Sequence, residues 1–332
     1  MSPPLPLHGG DLALARKRWG EPRDGWLDLS TGINPWPYPV PALAPELWQR
    51  LPDSHLDFAL RQAAATRYGA ATPDHVLAAG GSGALIAALP RLFEQKQSVI
   101  ILGPTYREHQ NAWAGSGHTV VMLNDPAALG DCTVLVAVTP NNPDGRMIDP
   151  RHLAAWAEKL AARGGLLVVD EAFMDLYPGQ SVAGLGLPST VVLRSFGKFY
   201  GLGGLRLGFA IAAKPLLDRL SRILGAWPVS GPAMEIGRMA LEDEAWATRT
   251  RAALKEQTTQ FHELLSASGL HRAGGTDLFT LIRHADAHSL WDRLGRGGIL
   301  TRAFAHDPGL LRVGLPGSDE DMDRLGAALA ES

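Results

Sequence analysis

Lys198 stands between an apolar, strand-like run and a glycine-rich loop, in "LRSFGKFYGLGGLRLGF" over residues 193–209. Lysines are ordinarily solvated, but this one should project from a strand end. An amine held out of water beside other cations is a nucleophile suited to a Schiff base. Arg194 and Arg206 flank it in sequence, and Ser195 supplies a hydroxyl.

Asp170 closes "LLVVD", a run otherwise built of aliphatic residues. A carboxylate there must find a cation or several donors, because uncompensated burial is costly. A protonated heterocyclic nitrogen would satisfy it, and a plain turn cap is the alternative. Gly81, Ser82 and Gly83 end one strand and open a helix, where backbone N–H groups can hold a phosphate. Asn142, in "TPNNPDG", ends another strand inside a turn-prone run. The glycines do not form G-x-G-x-x-G, since Ile86 holds the last position, and no G-x-x-x-x-G-K-[ST] occurs. An amine, a carboxylate, an amide, a phosphate nest and extra cations together describe a pocket for pyridoxal 5′-phosphate.

The elements that must position these groups alternate along the chain. "HVLAAGG" precedes "SGALIAALPRLF", "QSVIILGP" precedes "YREHQNAWAGSG", and "HTVVMLN" and "CTVLVAVTP" follow. The amphipathic "PRHLAAWAEKLAARG" leads into "GLLVVDEAF", then "TVVLRSF" and "RLGFAIAA". Continuous apolar strands of this kind belong to a sheet covered on both faces, and the alternation argues for a mainly parallel α/β sheet. The expected division is an extended N-terminal arm over 1–45, rich in Pro and Gly, a large domain over 46–228 and a smaller α+β domain over 229–332. The last contains one long helical stretch, the strands "LFTLIRH", "GILTRAF" and "LLRVGLP", and a closing helix from Ser318.

Composition narrows the function classes. A net charge of −3 leaves no polyanion footprint, so nucleic acid is not an expected partner. No segment reaches the roughly 18 apolar residues of a membrane span, and the first residues lack a signal pattern. The single cysteine, Cys132, suits a reducing compartment, so a cytoplasmic location is expected. No metal is expected: His284 and His288 have i,i+4 spacing, but Ala285 is not the glutamate of a zinc protease motif and the segment reads as a loop.

"GPTY", "TPNNPDG", "VVDEAF" and "RSFGKFYGLGGLRLGF" appear in the order found in fold-type I, pyridoxal-phosphate-dependent enzymes of the class I/II aminotransferase superfamily, which the chain resembles over nearly its whole length. The fold implied is a large domain with a seven-stranded, mainly parallel sheet flanked by helices, plus a small domain and an arm. "HGGDL", "DLSTGINP", "VSGPAM" and "LLRVGLP" most resemble the branch of threonine-phosphate decarboxylases of cobalamin biosynthesis. That resemblance implies decarboxylation of L-threonine O-3-phosphate to (R)-1-amino-2-propanol O-2-phosphate by a homodimer.

By the resemblance, Lys198 carries the Schiff base, Asp170 pairs with the pyridine nitrogen, Asn142 meets the ring hydroxyl and Tyr106 stacks on the ring. Gly81, Ser82, Gly83, Ser195 and Arg206 hold the cofactor phosphate. His8, Gly32, Asn142, Arg302 and Arg312 contact the substrate, Arg312 at its carboxylate and His8 and Arg302 at its phosphate. Two departures stand out. Phe173 replaces a tyrosine whose hydroxyl touches the ring oxygen, and Leu51 replaces the tyrosine of a "YPD" segment that reaches a partner subunit, with His55 as its possible substitute. An aminotransferase acting on a phosphorylated amino acid such as histidinol phosphate is the alternative. A non-catalytic regulator of this fold is a third reading, against which Lys198 and the absence of room for an N-terminal DNA-binding domain both count.

Overall fold

The computed structural model describes residues 8–124 and 130–330, so the first seven residues of the arm lie outside it. Strands are numbered β1 (Leu27–Asp28), β2 (Val76–Ala79), β3 (Ser98–Leu102), β4 (Thr119–Leu123), β5 (Val134–Val138), β6 (Leu166–Asp170), β7 (Thr190–Ser195), β8 (Gly208–Ala212), β9 (His271–Thr276), β10 (Phe279–Arg283), β11 (Ile299–Leu300), β12 (Arg302–Phe304) and β13 (Asp307–Gly314). The chain divides into two compact units, one of Tyr38–Asn142 and Arg146–Trp246, the other of Met1–Pro37, Pro143–Gly145 and Ala247–Ser332.

The larger unit is built on a seven-stranded sheet in the order β2-β8-β7-β6-β5-β3-β4. Every neighbouring pair from β7 to β4 is parallel, whereas β8 runs antiparallel to both β7 and β2. The expected mainly parallel seven-stranded sheet is therefore the one observed. Strands β5, β6, β7 and β8 are buried at every position, which explains their unbroken apolar sequences. Each aliphatic side chain so buried contributes about 1.5–3 kcal/mol. Helices supply the cover: Leu85, Ile86, Leu89 and Trp113 join Val99, Val136, Val168 and Val191 in one core. The helix Pro150–Ala161 starts where the sequence places it, with Pro150 in its first turn and Asp149 accepting a hydrogen bond from the Arg151 amide at 2.8 Å.

The smaller unit holds a four-stranded antiparallel sheet, β12-β13-β10-β9, and the parallel pair β1-β11. Three local features differ from the sequence reading. The arm contains a helix, Leu12–Trp19, capped by Asp11 and packed through Trp19 edge-on against Trp291, with ring centroids 4.7 Å apart. The stretch after Gly231 is two helices, Gly231–Glu242 and Glu244–Ala267, broken at Asp243. The His284–His288 segment is not all loop: the Asp286 carboxylate accepts from the Ser289 amide at 3.0 Å and starts the helix Ala287–Arg296. Strand β9 was not legible, because "HRAGGT" has no apolar alternation; its glycines let the backbone of Asp144 approach, and the Gly275 amide donates to that carbonyl at 2.8 Å. Among the described residues no helix is long and apolar enough to cross a membrane.

Candidate active site

The carboxyl ends of β7, β6, β5 and β3 lie side by side on one edge of the large sheet, where open α/β sheets place their ligands. The chain leaving them carries Lys198, Asp170, Asn142 and Tyr106 in that spatial order. The end of β2 and the start of β8 reach the same edge, bringing Gly81, Ser82, Gly83 and Arg206 with them. Residues scattered over 81–206 thus meet because five strands share one polarity.

Asp170 is 2% exposed. Its Oδ1 accepts from the Ala172 amide at 3.0 Å, and its Oδ2 lies 2.8 Å from His109 Nε2. A carboxylate only accepts, so His109 donates here from its Nε2–H. His109 was not singled out from sequence. The signal that could have found it is helical spacing: His109 and Trp113, four residues apart, occupy the buried face of the helix Arg107–Gly115, an odd place for an imidazole. The His109 and Tyr106 rings stand nearly perpendicular, with centroids 6.4 Å apart.

Lys198 sits in a single helical turn, Phe196–Phe199, directly after β7. Its Nζ lies 5.8 Å from the centroid of the Phe173 ring. Phe173 is buried and presents an apolar face where a tyrosine would have offered a hydroxyl. Asn142 is half-buried, while its neighbour Asn141 is fully buried and braces the loops. The Asn141 side chain donates to the Pro104 carbonyl at 2.9 Å and accepts from Thr105 Oγ1 at 2.5 Å. The "GPTY" and "TPNNPDG" loops are fastened together by that residue.

Gly81 has φ +92, and a Cβ there would stand 3.0 Å from Arg206 Nη2. At Gly208 a Cβ would meet the Ser82 amide nitrogen at 2.4 Å. Glycine at these two positions allows the turn, the strand start and the guanidinium to crowd together. Arg206 itself has φ +56, a left-handed conformation that costs a non-glycine residue about 1–3 kcal/mol and persists only where its surroundings enforce it. Ser195 is buried at the end of β7.

In the smaller unit, Arg302 and Arg312 are direct cross-strand partners of β12 and β13. Residues opposite one another in an antiparallel pair share a face, with Cβ atoms about 4.5–5.5 Å apart, and like charges so placed repel. Arg312 is 7% exposed; its Nη2 donates to the Ser30 carbonyl at 2.8 Å. Ser30 Oγ in turn accepts from the Gly10 amide at 2.7 Å, and Ser30 lines a cavity together with His8, Arg18 and Thr301. The segment of His8 and the arginine Arg312 therefore meet at Ser30. Gly32 is buried just beyond β1.

The chain belongs to the family described as aminotransferase class I and II, whose model it matches over residues 33–329. It is 44% identical over 326 residues to the threonine-phosphate decarboxylase of Pseudomonas aeruginosa, covering 97% of this chain and 96% of that one. It is 42% identical over 335 residues to a protein of the same name from Sinorhizobium sp, covering 99% of each. Among solved structures it is similar to the histidinol-phosphate aminotransferase from Sinorhizobium meliloti in complex with pyridoxal-5′-phosphate. That match has a TM-score of 0.81 at 22% identity and covers 96% of this chain and 93% of that one.

Proposed function

We propose that the chain is a pyridoxal 5′-phosphate-dependent decarboxylase that converts L-threonine O-3-phosphate to (R)-1-amino-2-propanol O-2-phosphate and carbon dioxide, a reaction of cobalamin biosynthesis. The likeness at 44% identity over nearly the full length supports the substrate. The observation that carries the chemistry is the pairing of Arg302 opposite Arg312, which sets two guanidinium groups on one face of β12 and β13. A substrate with both a carboxylate and a phosphate has one anion for each planar, two-pronged guanidinium.

The large-sheet edge fits the cofactor, because the turn at Gly81 that opens the helix Ser82–Ala88 lies against the Arg206 guanidinium, so backbone N–H groups and a cation stand together where a phosphate would be held. Lys198 would anchor the group, Asp170 would pair with its ring nitrogen, Asn142 with its ring hydroxyl and Tyr106 with its ring face. Gly81, Ser82, Gly83, Ser195 and Arg206 would hold its phosphate. When bound, the cofactor supplies an electron sink for a bond broken at the substrate's α-carbon. The protein's own task is orientation: Arg312 on the carboxylate, and Arg302 with His8 on the phosphate, select which bond is aligned to break, with Gly32 and Asn142 flanking the substrate. Binding energy at the phosphate is thereby used to position the carboxylate.

The test is to incubate the purified protein with phosphothreonine while following carbon dioxide and amine release, with 2-oxoglutarate added in parallel. Stoichiometric carbon dioxide independent of 2-oxoglutarate supports decarboxylation, whereas glutamate formation supports an aminotransferase such as the histidinol-phosphate enzyme it resembles in fold. Arg302→Ala is expected to erode the preference for phosphothreonine over threonine by about 10–100-fold, since charge-assisted hydrogen bonds contribute about 1.5–3 kcal/mol each. Arg312→Ala should weaken both substrates alike. Comparing kcat/KM for the two substrates decides it: equal losses in Arg302→Ala would remove its phosphate role.

The functional form is a homodimer acting in the cytoplasm. In the larger unit Trp48, Leu51, Phe58 and Trp227 are each at least half exposed. Trp227 lines a groove together with Pro52, Asp53 and Ser54, next to Leu51 in sequence. Apolar patches of this kind mark protein interfaces, and a second copy covering them fits a chain of this family. Light scattering at assay concentration should return twice the monomer mass, and Trp48→Glu should shift the population toward monomer; a fully active wild-type monomer would contradict the dimer.

A further inference from the structure

A buried ionic cluster lies one residue away from the groups assigned to the cofactor. Glu171 follows Asp170, and Arg194 precedes Ser195. Arg194, Glu171 and Asp175 are 2%, 0% and 3% exposed. Arg194 Nη1 donates to Glu171 at 2.8 Å and Nη2 to Asp175 at 2.9 Å, so each arm of the fork holds a different carboxylate. Glu171 also accepts from Ser181 Oγ at 2.6 Å and the Val182 amide at 2.8 Å. The guanidinium lies 4.3 Å from the centroid of Tyr68, on the helix Ser54–Tyr68. Burial alone would lower the Arg194 pKa, but Asp175 and Glu171 outweigh it and hold the group above its ordinary value.

Stability does not explain this cluster. Buried ion pairs can often be replaced by well-packed hydrophobic groups of similar volume without loss, because desolvation offsets their attraction. Geometry does explain it. Successive residues of a strand point to opposite faces, so Arg194 works on the reverse side of the strand end that presents Ser195, and its ion pair draws Glu171, the residue after β6, to that side. Asp170 and Leu193 are register partners in β6 and β7, and the Glu171 amide donates to the Leu193 carbonyl at 2.9 Å. The backbone pairing ends there, and the clasp continues it through side chains.

We propose that Arg194 is a positioning residue: by bridging Glu171 and Asp175 it sets the separation between Asp170 and the turn that carries Lys198. The inference rests on the cofactor reading above. Lysine cannot replace it, since a single ammonium lacks the fork that spans two carboxylates.

The decisive variant is the charge-free triple Arg194→Met, Glu171→Gln, Asp175→Asn, compared with Arg194→Lys and wild type. The readouts are melting of the cofactor-free protein, the Kd for pyridoxal 5′-phosphate by fluorescence, the visible circular dichroism of the bound group, and kcat and KM. The triple variant should stay folded with a cooperative melt, because the charges are removed together and no uncompensated buried ion remains. It should bind the cofactor at least ~10-fold more weakly and show a weakened dichroic band, with kcat reduced about 10–100-fold and KM nearly unchanged, as for a misplacement of about 1 Å. Arg194→Lys should recover the charge but only part of the cofactor affinity. A folded triple variant with wild-type Kd, dichroism and kcat would overturn the proposal. So would one that fails to fold, because the ions would then serve the fold itself. Cofactor binding is read apart from substrate turnover, so wild type that binds pyridoxal 5′-phosphate but does not decarboxylate refutes the substrate and leaves the clasp testable.

Discussion

Lys198→Ala is expected to fold normally and to lose turnover by at least ~10³-fold, the scale at which a positioned proton-transfer group and a covalent nucleophile act together. The fold should survive because Lys198 is half-buried in one helical turn after β7 and contributes nothing to the buried core. Borohydride treatment of wild type loaded with pyridoxal 5′-phosphate should fix the group to the peptide containing Lys198, as read by mass spectrometry. The alanine variant should yield no such adduct. Trapping at another lysine in either protein would remove Lys198 from its assigned role, whatever the residual activity.

Asp170→Asn carries the second large effect, a loss of about 10²–10³-fold in kcat with the fold retained, in line with the removal of one preorganised electrostatic group. The amide is isosteric: its oxygen can still accept from the Ala172 amide, now 3.0 Å from Oδ1, while its NH2 can pair with His109 Nε2, now 2.8 Å from Oδ2, once the imidazole carries its proton on Nδ1. What disappears is the negative charge able to hold a heterocyclic nitrogen protonated. The measurement is steady-state kinetics beside a thermal melt: unchanged melting with lost kcat supports the assignment. Near-normal turnover would show that Asp170 is only a structural acceptor for His109.

The motif residues were legible because their chemistry is local. Lys198 next to a strand end, Asp170 closing an aliphatic run and Gly81 at a strand-to-helix turn each announce themselves in a few residues. The strands could be read because both-face burial in a parallel sheet demands unbroken aliphatic runs, as in β5 through β8. The family match over residues 33–329 spans those same segments.

Tertiary structure decided the rest, because the deciding quantity was strand register or a contact between distant residues. His109 and Asp170 are 61 residues apart and meet because β3, β5 and β6 lie in parallel with their ends aligned. Arg302 and Arg312 read as two strand arginines ten residues apart. A register shifted by one residue would have put them on opposite faces, and pairing of β12 with β13 put them on the same one. The residues Pro143–Gly145 cluster with segments from both ends of the chain, through a backbone contact between Asp144 and Gly275 that only paired glycines permit. Arg194 read simply as a cation near Lys198, yet its charge is spent on Glu171 and Asp175. Sequence by itself determined which functional groups this protein carries and the kind of sheet that holds them; tertiary structure determined which groups touch, because a strand's residue types set its burial while its register depends on its neighbours.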